Sequence, residues 1–167
     1  ADIPFSGRVV ILGCGGVART MAYEAVLADN DLTLAVRKDD VNMANDLKKE
    51  LESIKETEVK VCLLDELSGE IDVLVNATPV GMFPKVDNCP VNDEIIKNSK
   101  AVFDAIYNPL ETQLVQKARA FGNKAIGGMA MLVWQAVVAQ QKWNDVTFNK
   151  DDINKLCVDC LEELKNK

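Results

Sequence analysis

The fold of this chain is decided by the sequence RVVILGCGGVART, which spans residues 8–20. Its apolar residues 9–12 predict a buried parallel strand, because β-branched side chains dominate and no polar side chains alternate with them. The glycine-rich residues 13–16 then end the strand, and a helix-forming run begins near Val17. Glycines let the backbone turn sharply, and a helix start offers unpaired N–H groups with a partial positive charge. The sequence therefore predicts a phosphate-binding turn, the alternative being a tight turn without a ligand.

The composition excludes several classes of protein. The chain has 167 residues, 48% of them hydrophobic and 27% charged, so we expect one globular domain over residues 1–167. The net charge is −7 and the basic residues are scattered, which argues against a nucleic-acid partner. No apolar run approaches the roughly 20 residues of a membrane helix. The chain has no histidine, so histidine-based triads and most catalytic zinc sites are excluded, and we expect no metal.

The five cysteines indicate a reducing compartment. Their number is odd and no signal peptide precedes them, which favours free thiols in a cytoplasmic protein. Cys157 and Cys160 form a lone Cys-x-x-Cys pair on a predicted helix, where apolar packing is more common than metal binding or redox chemistry.

Strands alternate with helices along the rest of the chain. Apolar β-branched runs predict strands at residues 8–12, 32–36, 59–63, 72–76, 101–105 and 124–126. Amphipathic or apolar runs predict helices at residues 17–28, 41–54, 91–96, 111–121, 129–143 and 151–164. This order predicts an α/β fold with a doubly wound parallel sheet, a Rossmann-like three-layer α/β/α architecture. Ligands bind such sheets beyond the carboxyl ends of the strands, at the loops 13–16, 37–40, 77–85 and 105–110 and the glycines 127–128.

The end of the second predicted strand indicates which dinucleotide would bind. Sites for NAD usually place an acidic residue about 20 residues beyond the glycines, where it binds the ribose hydroxyls. This chain instead has Arg37 and Lys38 at that point. A 2′-phosphate would be held by Arg37, with help from Lys38, so NADP(H) is the predicted cofactor. In the alternative interpretation, both cations lie in a solvated loop and pair with Asp39 and Asp40.

Three further motifs carry a resemblance to a known family. They are VNATPVGM at residues 75–82, YNPLETQL at residues 107–114 and GMAMLVWQA at residues 128–136. With GCGGVAR at residues 13–19, and in this order and spacing, they resemble shikimate dehydrogenases over nearly the whole chain. The resemblance implies NADP-dependent interconversion of shikimate and 3-dehydroshikimate.

The resemblance also implies roles for individual residues. The implied cofactor-binding residues are Gly13, Cys14, Gly15, Gly16, Val17, Arg37, Lys38, Ala77, Thr78, Pro79, Ala105 and Gly128. Residues 13–17 resemble the pyrophosphate loop, residues 77–79 the loop at the cofactor ribose, and Ala105 and Gly128 the backbone beside the nicotinamide. Val36 and Lys38 stand where the family usually has Asn and Thr, so the adenosine contacts must differ in part.

Tyr107 and Gln135 match family side chains that contact bound shikimate. A phenol and an amide can both bond to substrate hydroxyls. The apolar neighbours of Gln135 predict a mostly buried helix, in which an amide needs a partner such as a ligand. The alternatives are a surface position for Gln135 and a core position for the Tyr107 ring.

In this family, a substrate domain precedes the nucleotide domain and carries the lysine and aspartate of the acid–base pair. No such motif is found in the 167 residues, so we expect no catalytic residue in the chain. The hypothesis is an isolated NADP-binding domain (a fragment, a proteolytic product or part of a split protein) with little or no turnover. The helix at residues 151–164 is expected to pack on this domain or on the missing one. The alternatives are an NAD-dependent quinate/shikimate dehydrogenase and a non-catalytic nucleotide sensor.

Overall fold

Six parallel strands form one sheet in the structure, a computed structural model that describes residues 5–165. The strands are β1 (Arg8–Leu12), β2 (Asp31–Val36), β3 (Lys60–Leu63), β4 (Ile71–Asn76), β5 (Ser99–Asp104) and β6 (Lys124–Ile126). They lie in the order β3-β2-β1-β4-β5-β6, and every neighbouring pair is parallel. The predicted doubly wound, Rossmann-like sheet is therefore confirmed. Residues 1–4 and 166–167 of the predicted domain lie outside the described residues.

Helices connect the strands and cover both faces of the sheet. They are α1 (Gly16–Leu27), α2 (Val41–Ile54), α3 (Asp93–Lys97), α4 (Gln113–Ala120), α5 (Met129–Asn144) and α6 (Lys150–Lys165). Their bounds lie close to the predicted ones. A 3₁₀ turn, Lys38–Asp40, joins β2 to α2 where the sequence predicted a loop. None of the described helices is long and apolar enough to cross a membrane.

Strand β1 is buried on both of its faces. Val9 and Ile11 pack in one core with residues of α1 and α2, and Val10 and Leu12 pack in another with residues of α3 and α4. All four side chains are fully buried, and the burial of each contributes about 1.5–3 kcal/mol. Two-sided burial explains why this strand is apolar along its whole length.

The last two helices pack against each other. Val133 and Val137 of α5 meet Ile153 and Cys157 of α6 in a third, smaller cluster. Cys157 is buried there and Cys160 is partly buried against the same cluster, so both thiols contribute to apolar packing, as predicted. Helix α6 therefore packs on this domain, which was one of the two expectations.

The expectation of a mostly buried α5 is wrong for the described part of the chain. Leu132, Trp134 and Val138 on this helix are exposed by 38%, 36% and 43%. Gln135 is exposed as well. Helix α6 covers only one side of α5, and an apolar sequence does not tell which sides of a helix will find a partner within the same domain.

Candidate functional site

The strand order reverses at β1, and this reversal opens a crevice at the carboxyl ends of the strands. The chain leaves β1 toward β2 on one side and returns in β4 on the other. The N–H of Gly13 donates to the carbonyl of Ala35 over 2.9 Å, and the N–H of Ala77 donates to the carbonyl of Leu12 over 3.1 Å. The loops after β1 and β4 are therefore tied to neighbouring strands at the edge of the sheet where doubly wound folds bind ligands.

Two adjoining clefts occupy this edge. The first cleft, of about 290 Å³, is lined by Gly13, Cys14, Gly15, Val36, Arg37, Asp40, Met43, Leu64, Ala77, Thr78, Pro79, Val80 and Pro90. The second cleft, of about 340 Å³, is lined by Val17, Ala77, Thr78, Pro79, Met82, Phe83, Ala105, Ile106, Tyr107 and Asn108. The segment 77–79 lines both clefts, so together they form one groove along the edge of the sheet.

The backbone conformation requires glycine at position 13 but not at positions 15 and 16. Gly13 has φ +96°, a left-handed conformation that side chains disfavour, and a Cβ atom there would lie 3.0 Å from Cγ2 of Thr78. Gly15 has φ −74° and Gly16 lies in α1. Among residues 5–165, and apart from the adjoining helical turn, a Cβ atom on either glycine would meet no atom within 4 Å. Neither backbone strain nor protein packing demands glycine at positions 15 and 16, so the space beside them is open to a ligand at the start of α1.

Arg37 follows β2 and forms an ion pair in the first cleft. Its Nε donates to Oδ2 of Asp40 over 2.9 Å, and its Nη2 lies 2.8 Å from the same oxygen. The hydrogen bond to Asp40 and the charge of that carboxylate raise the pKa of Arg37. The Arg37 side chain is 73% exposed, so it is accessible to a ligand. The alternative interpretation, in which the loop cations pair with neighbouring acids, is thus realised for Arg37 and Asp40.

Four of the predicted site residues line neither cleft. Lys38 lines a separate depression beside β3, away from Arg37. Gly16 lies in the first turn of α1, and Gln135 is exposed on α5. Gly128 is buried at the start of α5, packed against the backbone of the loop after β5. The other predicted residues line one or both clefts, and the contacts of all of them with a ligand stay predictions.

Several lining residues were missed by the sequence reasoning. Met43 is 56% exposed in the first turn of α2, although its apolar character suits a core position. Met82 and Phe83, in the loop after β4, are 45% and 64% exposed beside the second cleft. Met82 and Phe83 fall in the loop 77–85, which was predicted to lie at the ligand-binding edge, although neither residue was named. Met43 gave no such signal, because it stands in a predicted helix.

A buried polar network joins the loops after β4 and β5. The Asn76 amide donates to Oδ1 of Asp104 over 3.0 Å, and the Thr112 hydroxyl donates to Oδ2 over 2.6 Å. The N–H of Ile106 donates to Oδ1 over 3.0 Å. Oδ1 of Asn76 in turn accepts a hydrogen bond from the hydroxyl of Thr78 over 2.7 Å. The network therefore holds Thr78, which lines both clefts, in a fixed relation to Ile106, which lines the second.

Asp104 is the centre of this network and is fully buried. Burial raises the pKa of its carboxyl above the ordinary value, and the three hydrogen bonds that it accepts oppose this effect only in part. Asp104 lines neither cleft, and both of its oxygens are already bonded. Its geometry therefore suits a residue that positions the two loops.

Cys14 lines the first cleft, so its alkylation can report on occupancy. Burial raises the pKa of its thiol, the charge of Asp40 raises it further, and Arg37 lowers it. We expect alkylation by iodoacetamide to be slow, to accelerate with pH because the thiolate reacts, and to slow when NADP is bound. Mass spectrometry of the modified peptides measures the rate, with Cys62, in the depression that Lys38 lines, as the internal control. Equal rates at Cys14 with and without NADP would contradict the expectation.

Comparisons with known proteins support the predicted resemblance. No family model matches the chain. A shikimate dehydrogenase (NADP(+)) of Methanocaldococcus jannaschii is 38% identical over 157 residues, which cover 91% of this chain and 55% of that protein. A crystal structure of a shikimate dehydrogenase in complex with NADP⁺ is similar with a TM-score of 0.80 at 35% identity, over 93% of this chain and 55% of the other.

A quinate dehydrogenase of Corynebacterium glutamicum in complex with NAD is also similar in structure. Its TM-score is 0.79 at 27% identity, over 92% of this chain and 55% of that one. The chain spans about half the length of the curated relatives it matches.

Proposed function

The chain is homologous to shikimate dehydrogenases over nearly its whole length, and from this we propose that it is the NADP-binding domain of such an enzyme. The main support for this function is the groove of two clefts, which runs from Arg37 past the open glycine turn to Tyr107. A dinucleotide is an extended ligand with a diphosphate at its middle. A groove with a helix start between two mostly apolar clefts suits that shape and charge.

The described residues fit NADP(H). The first cleft would take the adenosine beside Met43, with the 2′-phosphate at Arg37. The diphosphate would lie against Gly15 and Gly16, where the part of the chain that the structure describes leaves the space open. The nicotinamide would enter the second cleft beside Ala105. When bound, NADPH supplies the hydride for the reduction of a carbonyl group.

We infer reversible reduction of 3-dehydroshikimate to shikimate as the activity of the whole enzyme. Tyr107 lines the second cleft and is 48% exposed, so its hydroxyl is available to a substrate hydroxyl. Reduction of a ketone also needs a proton donor at the oxygen. Among the described residues that line the second cleft, none carries a carboxylate or an ammonium group. The acid–base pair would therefore be supplied by a substrate domain.

The chain alone is expected to oxidise shikimate with NADP⁺ about 10²- to 10⁴-fold more slowly than a full-length relative, because it lacks that acid–base pair. The absorbance of NADPH, followed at saturating shikimate and NADP⁺, measures the rate. Addition of a separately produced substrate domain should restore part of it. Turnover by the chain alone at the rate of the full-length enzyme would overturn the assignment of proton transfer to another domain.

Titration with nucleotides tests the cofactor assignment. Arg37→Ala should weaken NADP binding about 10- to 150-fold, since a charge-assisted hydrogen bond contributes about 1.5–3 kcal/mol, and should leave NAD binding nearly unchanged. Lys38→Ala removes the same charge from the next residue, which lines another depression, and should change NADP affinity by less than about threefold. Calorimetry measures both affinities. An unchanged ratio of NADP to NAD affinity in Arg37→Ala would show that the 2′-phosphate lies elsewhere.

An NAD-dependent quinate or shikimate dehydrogenase is the second candidate. The ion pair between Arg37 and Asp40 favours it, because a paired guanidinium attracts a phosphate less strongly. The same titration separates the two candidates, since an NAD-dependent enzyme should bind NAD more tightly than NADP.

A non-catalytic nucleotide sensor would bind nucleotide but gain no turnover from an added substrate domain.

We also propose that α5 packs against the substrate domain. Its residues Trp134 and Val138, one turn apart, form an exposed apolar strip, and Leu132 is exposed on another side of the helix. Apolar strips of this kind mark interaction surfaces.

A cytoplasmic location stays our prediction, supported by the five free cysteines.

A further inference from the structure

Asp40 is held in place beside the cation that the proposed cofactor site needs. Its N–H donates to the carbonyl of Arg37 over 3.0 Å, which closes the 3₁₀ turn. The thiol of Cys14, which also lines the first cleft, lies 3.8 Å from the Asp40 carbonyl oxygen. The Asp40 side chain is only 26% exposed, whereas that of Arg37 is 73% exposed. The carboxylate is therefore the enclosed member of the pair, and the guanidinium is the one accessible to a ligand.

We propose that Asp40 is a determinant of nucleotide choice, which lowers the preference of the first cleft for a 2′-phosphate over a 2′-hydroxyl by occupying the guanidinium of Arg37. This inference rests on the proposed function. A 2′-phosphate must take Arg37 from Asp40 or share it, because Nε and Nη2 both face the same carboxylate oxygen. A 2′-hydroxyl does not need the guanidinium of Arg37, so the ion pair weakens the binding of NADP and not that of NAD.

The second oxygen of Asp40 adds to this effect. Both contacts with Arg37 use Oδ2, and within residues 5–165 no group donates a hydrogen bond to Oδ1. A free carboxylate oxygen in a nucleotide cleft is an acceptor for ribose hydroxyls, which is how acidic residues bind NAD. Asp40 can therefore favour NAD directly while it weakens the hold of Arg37 on NADP.

The usual sequence criterion for nucleotide preference does not identify Asp40. That criterion looks for an acidic residue at the end of β2, where this chain has Val36 and then Arg37. The 3₁₀ turn brings the carboxylate of Asp40 back to Arg37, so the acid lies in the first cleft although it stands after the strand.

The neighbouring residue provides a matched control for the test. Asp39 carries the same charge in the same turn, is exposed, and makes no hydrogen bond or ion pair with any described residue. We expect Asp40→Asn to tighten NADP binding about three- to tenfold and to leave NAD binding equal or weaker, as the loss of a competing ion pair predicts. Asp39→Asn should change either affinity by less than about twofold. Calorimetric titration of NADP and NAD at one fixed, low ionic strength measures all four changes.

A second background shows whether Asp40 acts through Arg37. In Arg37→Ala, the further change Asp40→Asn should alter NADP affinity by less than about twofold. An equal gain in both backgrounds would overturn the inference, as would the same shift for Asp39→Asn and Asp40→Asn. If the unchanged chain binds neither nucleotide, the proposed function fails and this inference with it. If the chain binds NADP and the two asparagine variants behave alike, only this inference fails.

Discussion

Replacement of Asp104 by alanine is expected to lower the free energy of unfolding by about 2–4 kcal/mol and to weaken NADP binding. The truncation leaves the Thr112 hydroxyl, the Asn76 amide and the Ile106 N–H without their acceptor in a fully buried site. An unsatisfied buried group costs about 1–3 kcal/mol, and the costs of groups in one hydrogen-bond network do not simply add. Binding suffers because the same network fixes Thr78, which lines both clefts. Guanidinium chloride unfolding, followed by circular dichroism, measures the loss of stability.

The isosteric variant Asp104→Asn separates hydrogen bonding from charge. Its oxygen can still accept from Asn76 and Ile106, but the amide that replaces Oδ2 cannot accept from the Thr112 hydroxyl. One of the three bonds is lost, so the loss of stability should be about 1–2 kcal/mol at neutral pH, less than for Asp104→Ala. If Asp104→Ala unfolds at the same denaturant concentration as the unchanged chain, the network does not hold the two loops. A loss for Asp104→Asn as large as that for Asp104→Ala would show that the charge, and not the set of bonds, is what the fold requires.

The stability of the chain should depend on pH through Asp104, in a direction that can be measured. Burial raises the pKa of Asp104 in the folded chain, so the native state binds the proton more tightly than the unfolded state. The stabilisation by the protonated form is complete below the unfolded pKa of about 4 and is lost as pH rises through the raised pKa. The unchanged chain should therefore lose stability relative to Asp104→Asn over that range. A constant difference, or a relative gain with pH, would contradict the direction of the shift.

The sheet could be predicted from the sequence because its signals are local. Strand β1 is buried on both faces, so four consecutive apolar residues specify both the strand and the parallel arrangement around it. The glycine turn lies directly after the strand, and its place in the chain fixes its place at the edge of the sheet. The groove could be located for the same reason, since the loops that follow parallel strands meet there.

The remaining features depend on contacts between distant parts of the chain. Asn76 and Asp104 meet because β4 and β5 pair in one register, which neither strand encodes alone. The pairing of Arg37 with Asp40 depends on a 3₁₀ turn, and from the sequence alone it was only the alternative to a phosphate-binding role for Arg37. Gln135 was expected on a buried helix, but an apolar helix is buried only where a partner covers it, and α6 covers one side.

Replacement of Gly128 by alanine is expected to destabilise the chain by about 2–4 kcal/mol, because the added methyl group would overlap backbone rather than a flexible side chain. A Cβ atom at this position would contact the carbonyl oxygen of Ala105 and lie 2.6 Å from its carbon and 3.1 Å from the carbonyl carbon of Ile106. The N–H of Gly128 also donates to the Ile106 carbonyl over 2.9 Å, so the loop after β5 and the start of α5 cannot separate without losing that bond. Thermal and denaturant unfolding measure the effect.

Gly16→Ala is the matched control, and it should show the opposite combination of effects. Its Cβ atom would meet no atom of the described residues beyond the adjoining helical turn within 4 Å, and alanine favours a helix more than glycine does, so stability should be equal or higher. The proposed diphosphate would lie in that space, so NADP affinity should fall in Gly16→Ala although the fold is intact. In Gly128→Ala the stability of the chain should fall, and NADP affinity should fall only as a consequence of the damaged fold. If both variants are as stable as the unchanged chain, the backbone of the loop after β5 yields to the methyl group and Gly128 is not needed for packing. If Gly16→Ala binds NADP as tightly as the unchanged chain, the diphosphate does not lie at the start of α1.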